Sequence, residues 1–229
     1  MKFRFTGGPA LYLIPALILA WSVYLHFYAG PFYLRSIDPE YIYLVSGLNC
    51  ATLDFNRIGH VDNPGTFLQL LTGLFFRIIH LFAGNRDLFT DVIANPEVYL
   101  AASAMMLSVV TSILILWLGR LAYRYTGDFP GALVLQATTF FSVVNLGTYS
   151  RYNPERLMMT ILVIFFIIYI KYLYDSRFNA SKFAAWSGIV MGAGLATKFN
   201  FLPVLVLPLF LLPRWRYRGS YVLYLTGSV

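Results

Sequence analysis

The hydrophobic positions along this chain fall into long unbroken runs rather than the one-sided stripes of soluble helices. Apolar residues dominate from about Pro9 to Gly30 and over roughly 97–118, 131–147, 156–174, 184–197 and 201–213. A further run covers 65–83, and another begins at about 220. A spanning helix needs about 20 mostly apolar residues, so the first run, set behind Lys2 and Arg4, predicts a retained first span. It is too long for the core of a cleaved signal, and no small-residue cleavage site follows it. The runs 184–197 and 201–213 are short and are parted by Lys198, Phe199 and Asn200, which predicts two helices turning near one face. The run over 65–83 carries Gln69, Arg77 and His80 among its apolar residues, a pattern that suits a helix lying in the membrane interface. The partial span from about 220 leads us to expect a C-terminally truncated chain.

Composition agrees with an integral membrane protein, since 59% of the residues are hydrophobic and only 12% are charged, about half the charge of a soluble domain. The single cysteine, Cys50, cannot form an intrachain disulfide, and no His/Cys cluster has structural zinc spacing.

Charge orders the runs. If 65–83 stays on the outer surface and the other runs cross, the inner segments collect Lys2, Arg4, Arg120, Arg124, Lys171, Arg177, Lys182, Arg214, Arg216 and Arg218. These are ten of the seventeen Lys and Arg residues, and among ten acids only Asp128 and Asp175 accompany them. The asymmetry follows the positive-inside rule, with the N-terminus cytoplasmic. Letting 65–83 cross would put three basic loops outside. The net charge of +7 is thereby accounted for by cytoplasmic loops, and nucleic acid is not needed as a partner. The sequon Asn179-Ala180-Ser181 falls inside, so no glycan is expected there.

The same topology gathers Asp38, Glu40, Asp54, His60, Asp62, Arg151, Glu155, Arg156 and Lys198 on the outer side, where ionisable groups at membrane depth tend to be paired or functional. Structural roles compete with chemical ones. Asp38-Pro39-Glu40, Asn95-Pro96-Glu97 and Asn153-Pro154-Glu155 each read as an N-cap, a proline in the first turn and an acid favoured by the helix dipole. Lys198 also suits a side chain snorkelling to the interface, Arg151 and Arg156 suit span anchors, and His60 suits a loop. Chemically, a positioned carboxylate can take the proton of an acceptor hydroxyl or amine, and cations can hold a departing phosphate. Gly188, Gly192 and Gly194 suit close helix packing.

An acid just past the first span, Asn153-Pro154-Glu155 opening a later span, and Gly194-Leu195-Ala196-Thr197-Lys198 ahead of Leu202-Pro203 together resemble the membrane-embedded glycosyltransferases of the GT-C class. The nearest resemblance is to bacterial lipid-phosphate-sugar transferases, related to protein O-mannosyltransferases and aminoarabinose transferases. The resemblance implies inverting transfer of a sugar from a polyprenyl phosphate carrier to a glycan, lipid or protein acceptor on the extracytoplasmic face. By that resemblance Asp38 corresponds to the acceptor-activating base and Glu155 to the second acidic position, where the family often has Asp. Lys198, Arg151, Arg156, His60, Asp62 and Glu40 are the expected substrate-binding residues. The segment Gly59-His60-Val61-Asp62-Asn63-Pro64-Gly65 is similar to the family's first-loop His-Pro-Pro or Asn-Pro-Pro motif, with Gly65 in place of the second proline.

The expected fold is therefore all-α: one multi-pass transmembrane helical domain, GT-C-like, with interfacial helices within 38–83 of the first extracytoplasmic loop. The expected partners are the lipid-linked sugar, its acceptor and membrane lipids. The sequence specifies no cofactor, and a divalent metal is left open. Rival classes are a transporter or flippase of lipid-linked sugars, for which no internal repeat is visible, and a non-catalytic membrane fragment.

Overall fold

The computed structural model describes residues 8–35, 40–57, 65–138, 146–212 and 218–228, and all regular structure among them is helical. A 3₁₀ turn, Pro9–Tyr12, leads into α1 (Leu13–Ala29). It is followed by α2 (Glu40–Ala51), α3 (Thr66–Ala83), α4 (Leu88–Ala94), α5 (Pro96–Thr126) and α6 (Phe129–Ala137). The chain continues through α7 (Pro154–Tyr174), α8 (Ala180–Thr197), α9 (Leu207–Leu211) and α10 (Arg218–Ser228). Among the described residues, four helical stretches are long and apolar enough to cross a membrane: Pro9–Ala29, Thr66–Ala83, Pro96–Thr126 and Pro154–Tyr174. The protein is an all-helical chain with the helices of a membrane protein.

Side-chain contacts fix the helix directions. Arg120 reaches the hydroxyl of Tyr12 at one end of α1, while Glu97 receives the backbone N–H groups of Phe32 and Tyr33 at the other, so α1 and α5 are antiparallel. The described residues 129–138 and 146–150 then lie beside α1. The Gln136 amide donates to Leu11 O at 3.1 Å, Trp21 Nε1 donates to Leu146 O at 3.2 Å, and Arg35 Nη1 donates to Ser150 O at 2.8 Å. Part of the expected run 131–147, residues 139–145, lies outside the described residues. The α7 helix descends in the direction of α5, with Thr160 hydrogen-bonded to Thr111 at 2.7 Å and Tyr174 stacked on Tyr125. It meets α8 in a tight antiparallel turn where the Tyr172 and Phe183 rings stack at 4.4 Å. Thus Glu97, Ser150, Glu155 and Lys198 collect at one end of the bundle, and Arg120, Lys171 and Lys182 at the other.

The run 201–213 differs in detail from a regular helix. Its described part is a 3₁₀ stretch, Phe199–Val206, followed by the single turn of α9. Pro203 and Pro208 each remove an N–H from this short segment, which disfavours continuous α-helix. Phe201 packs on Gly194, and the hydroxyls of Tyr224 and Tyr221 donate to Leu205 O and Leu212 O. This strand of contacts leads away from Lys198, and α10 returns alongside α8.

The 31 residues of α5 extend about 46 Å at 1.5 Å per residue, well beyond the roughly 30 Å of bilayer hydrocarbon. Its first turns stand past the start of α7, and α3 uses that projection. Gly65 N, at the start of α3, donates to Thr197 O at the end of α8. Thr72 meets Tyr152 just ahead of α7, and Phe76 packs edge-on against Tyr99 of α5. Three successive points of α3 therefore touch three neighbouring helices at the same end, so α3 lies across that end rather than parallel to the bundle. It pairs with α2 through Gly47, where a Cβ would lie 2.2 Å from the Thr72 methyl.

The small residues of α8 serve close packing. A Cβ on Gly188 would come within 2.6 Å of the Tyr224 carbonyl oxygen, whereas one on Gly219 would meet nothing within 4 Å. Backbone cannot yield as a flexible side chain can. Gly188→Ala is expected to lower stability by about 1–2 kcal/mol, overpacking outweighing the gain in helix propensity, while Gly219→Ala leaves it unchanged or slightly raised. Thermal unfolding in detergent reads both.

Candidate functional site

The end of the bundle under α3 holds most of the described ionisable residues singled out by the sequence, and they are tied into separate groups. Asn153 accepts from Arg156 N at 3.1 Å and caps α7, so Glu155 sits in its first turn. The α8 helix ends at Thr197, and Lys198 follows in extended backbone. Because α7 and α8 are antiparallel neighbours, these two termini coincide, and Lys198 Nζ pairs with Glu155 Oε1. The lysine side chain is 18% exposed and the glutamate 32%, so the pair is partly sheltered yet open to a ligand.

A second group forms where α1 leads into α2. Arg35 lies 3.9 Å from Glu40, donates to Ser150 O and to Gly30 O, and rests on the Phe32 ring. Glu40 is completely buried at the start of α2. Burial pulls the Arg35 guanidinium below its usual range, Glu40 pushes it back up, and Arg151 and Glu97 act on it with opposite signs. Arg35, Glu40, Arg151 and Glu97 are thus electrostatic neighbours. Sequence reasoning missed Arg35, which joins the first loop to the segment ahead of α7; its place three residues before Asp38 in the sequence was the available signal.

Glu97 does more than favour a helix dipole. It accepts from Phe32 N at 2.8 Å, Tyr33 N at 3.0 Å and Tyr41 Oη at 2.7 Å, fastening the loop after α1 to α5. Asn95, expected to cap α5, makes no side-chain capping bond and instead donates to Asp91.

Arg156 is separate from both groups. It is fully buried inside the bundle, its guanidinium 3.6 Å above the Tyr149 ring and Nη2 3.5 Å from Ser108 Oγ. Sequence reasoning grouped it with the outer-face cations, and the structure instead encloses it between α5 and α7. Above it, Tyr152 shares a 2.9 Å hydrogen bond with Thr72. Asp38, His60 and Asp62 lie outside the described residues. Among the described residues, no group of three His, Cys, Asp or Glu side chains is placed to hold a metal ion.

Comparison with protein families, curated proteins and solved structures returns no match.

The Glu97 clamp has measurable consequences. Burial and the Glu97 carboxylate push the Tyr41 phenol up to about 12. The folded chain then keeps a proton that the unfolded chain releases near pH 10, so this contribution to stability is complete below that pH and is lost as pH rises towards 12. Glu97→Gln removes the charge from three hydrogen bonds, each a charge-assisted contact of about 1.5 kcal/mol or more. Hydrogen exchange at the Phe32 and Tyr33 amides should accelerate by about tenfold or more, and unchanged rates would show that the loop is held by other contacts.

Proposed function

We propose that this protein is a membrane-embedded glycosyltransferase of GT-C type that moves a sugar from a polyprenyl phosphate carrier to an acceptor on the extracytoplasmic side. The observation that carries the reading is the meeting of Glu155 and Lys198 at the joined ends of α7 and α8, half-sheltered under α3. That arrangement has the chemical parts such a transfer requires. The acceptor oxygen or nitrogen attacks the anomeric carbon, and the bond from that carbon to the carrier phosphate oxygen breaks. The bonding pair leaves with the phosphate, and the acceptor's proton passes to a carboxylate. Attack opposite the leaving group inverts the anomeric centre.

In this scheme Asp38 is the base, as the resemblance implies, and Lys198 receives the phosphate charge that develops as the bond breaks. Glu155 holds the ammonium in place while the site is empty, which lowers the cost of keeping an unpaired charge at membrane depth. Phosphate binding then shifts Lys198 from one anion to another. Arg151, close enough to influence Arg35, adds positive potential at the same end. Charge asymmetry supports an outward-facing site, because Arg120, Arg124, Lys171, Arg177 and Lys182 belong to the opposite end. With that orientation, α3 lies along the outer interface.

Transfer from a radiolabelled polyprenyl-phosphate sugar, measured in membranes containing the full chain, tests the proposal. Asp38→Asn should reduce transfer by about 10²–10⁴-fold while leaving insertion intact, since Asn caps a helix about as well as Asp but cannot take the proton. Lys198→Met should weaken donor binding more than Lys198→Arg, which keeps the charge. Full activity in Asp38→Asn and unchanged donor affinity in Lys198→Met would overturn the assignment.

A further inference from the structure

At the opposite end of the bundle, an apolar cleft of about 340 Å³ opens between α5, α7 and α8. Its walls include Trp117, Ile164, Ile168, Trp186 and Val190, and its one charged lining residue is Lys171. Trp117 is 47% exposed and Trp186 54%, so two indoles flank the opening rather than filling it. The ammonium of Lys171 stands 5.2 Å above the Trp117 ring, which holds it at the rim by a cation–π contact. Among the described residues no carboxylate forms an ion pair with it. The nearest acid in sequence, Asp175, one helical turn on, accepts from Arg177 N. Lys182 lies one turn before Trp186 on α8, and its ammonium donates to Arg177 O at 3.0 Å.

We propose that this cleft binds an anionic phospholipid, with an acyl chain against Trp117, Ile164, Ile168 and Val190 and the headgroup phosphate on Lys171. The complementarity decides the occupant. An apolar slot ending in one lysine without an ion pair among the described residues and flanked by indoles matches a lipid at the level where hydrocarbon gives way to headgroups, the level that tryptophan prefers. Two other clefts do not share the pattern. The one between α5, α6 and α7 has Asp128 as its charged lining residue, and the one between α1 and α5 has Glu97. Lys171 lies sixteen residues after Glu155 on α7, about 24 Å along the helix. The lipid is therefore distinct from anything held at the Glu155–Lys198 pair, and the inference does not depend on the proposed transfer reaction.

Brominated lipids quench tryptophan on contact, and Trp117 and Trp186 are natural reporters. The full chain carrying Trp21→Phe and Trp215→Phe is reconstituted in phosphatidylcholine bilayers containing increasing brominated phosphatidylglycerol or brominated phosphatidylcholine. Phosphatidylglycerol should quench at about fivefold lower mole fraction, the effect of roughly one lysine charge near a membrane surface. Lys171→Gln should remove most of that preference, and Lys171→Arg should keep it. Equal quenching by the two lipids in the parent protein, or a preference unaltered in Lys171→Gln, would overturn the proposal.

Discussion

A polar group in hydrocarbon must find its partner within the protein, because no water is there to supply one. Much of the interior follows from that constraint. Some hydroxyls on the long helices bond back to the carbonyl one turn earlier, as Ser108 does to Ala104 and Thr111 to Leu107. Where two helices bring hydroxyls together, they bond across the interface, as Thr111 and Thr160 do. Gln136 carries the principle furthest: its amide enters the space left by the missing side chain of Gly119 and donates to carbonyls of two separate segments, Leu11 and Ile115. One side chain thereby locks α6 to both α5 and the 3₁₀ turn that leads into α1.

Charged groups face the same constraint at higher stakes, and they differ in how they meet it. Arg156, fully buried, rests on an aromatic face and reaches one hydroxyl, while its Nε and Nη1 have no hydrogen-bond partner among the described residues. Arg35 and Glu40, nearer the end of the bundle, offset one another and spread the remaining charge over backbone carbonyls. Glu155 and Lys198 are more exposed than Arg35 and Glu40.

The α3 helix depends on the same economy of contacts. It is apolar enough to cross a membrane, but its partners are the exposed ends of α8 and α7 and the projecting first turns of α5. Lying across them covers the Tyr152 hydroxyl and the Thr197 carbonyl, which would otherwise face hydrocarbon or the interface. Length and hydropathy do not distinguish a crossing helix from a lintel; the positions it touches do.

Helical class and the approximate bounds of α1, α5 and α7 were legible in the sequence, because long apolar runs without breaks have few alternatives. The cap at Asn153 and the tight approach at Gly188 were legible for the same local reasons. Tertiary structure alone decided which charges meet. Glu155 and Lys198 are forty-three residues apart and pair because α7 and α8 turn back on each other. Glu97, which local pattern made a helix-terminal acid, became the fastening of a loop sixty-five residues away. Arg156, one residue from Glu155, was drawn inside while its neighbour stayed half-open, since adjacent helical residues point about 100° apart. Sequence spacing along one helix records that divergence, but only the packing of α5 against α7 determines which direction is buried.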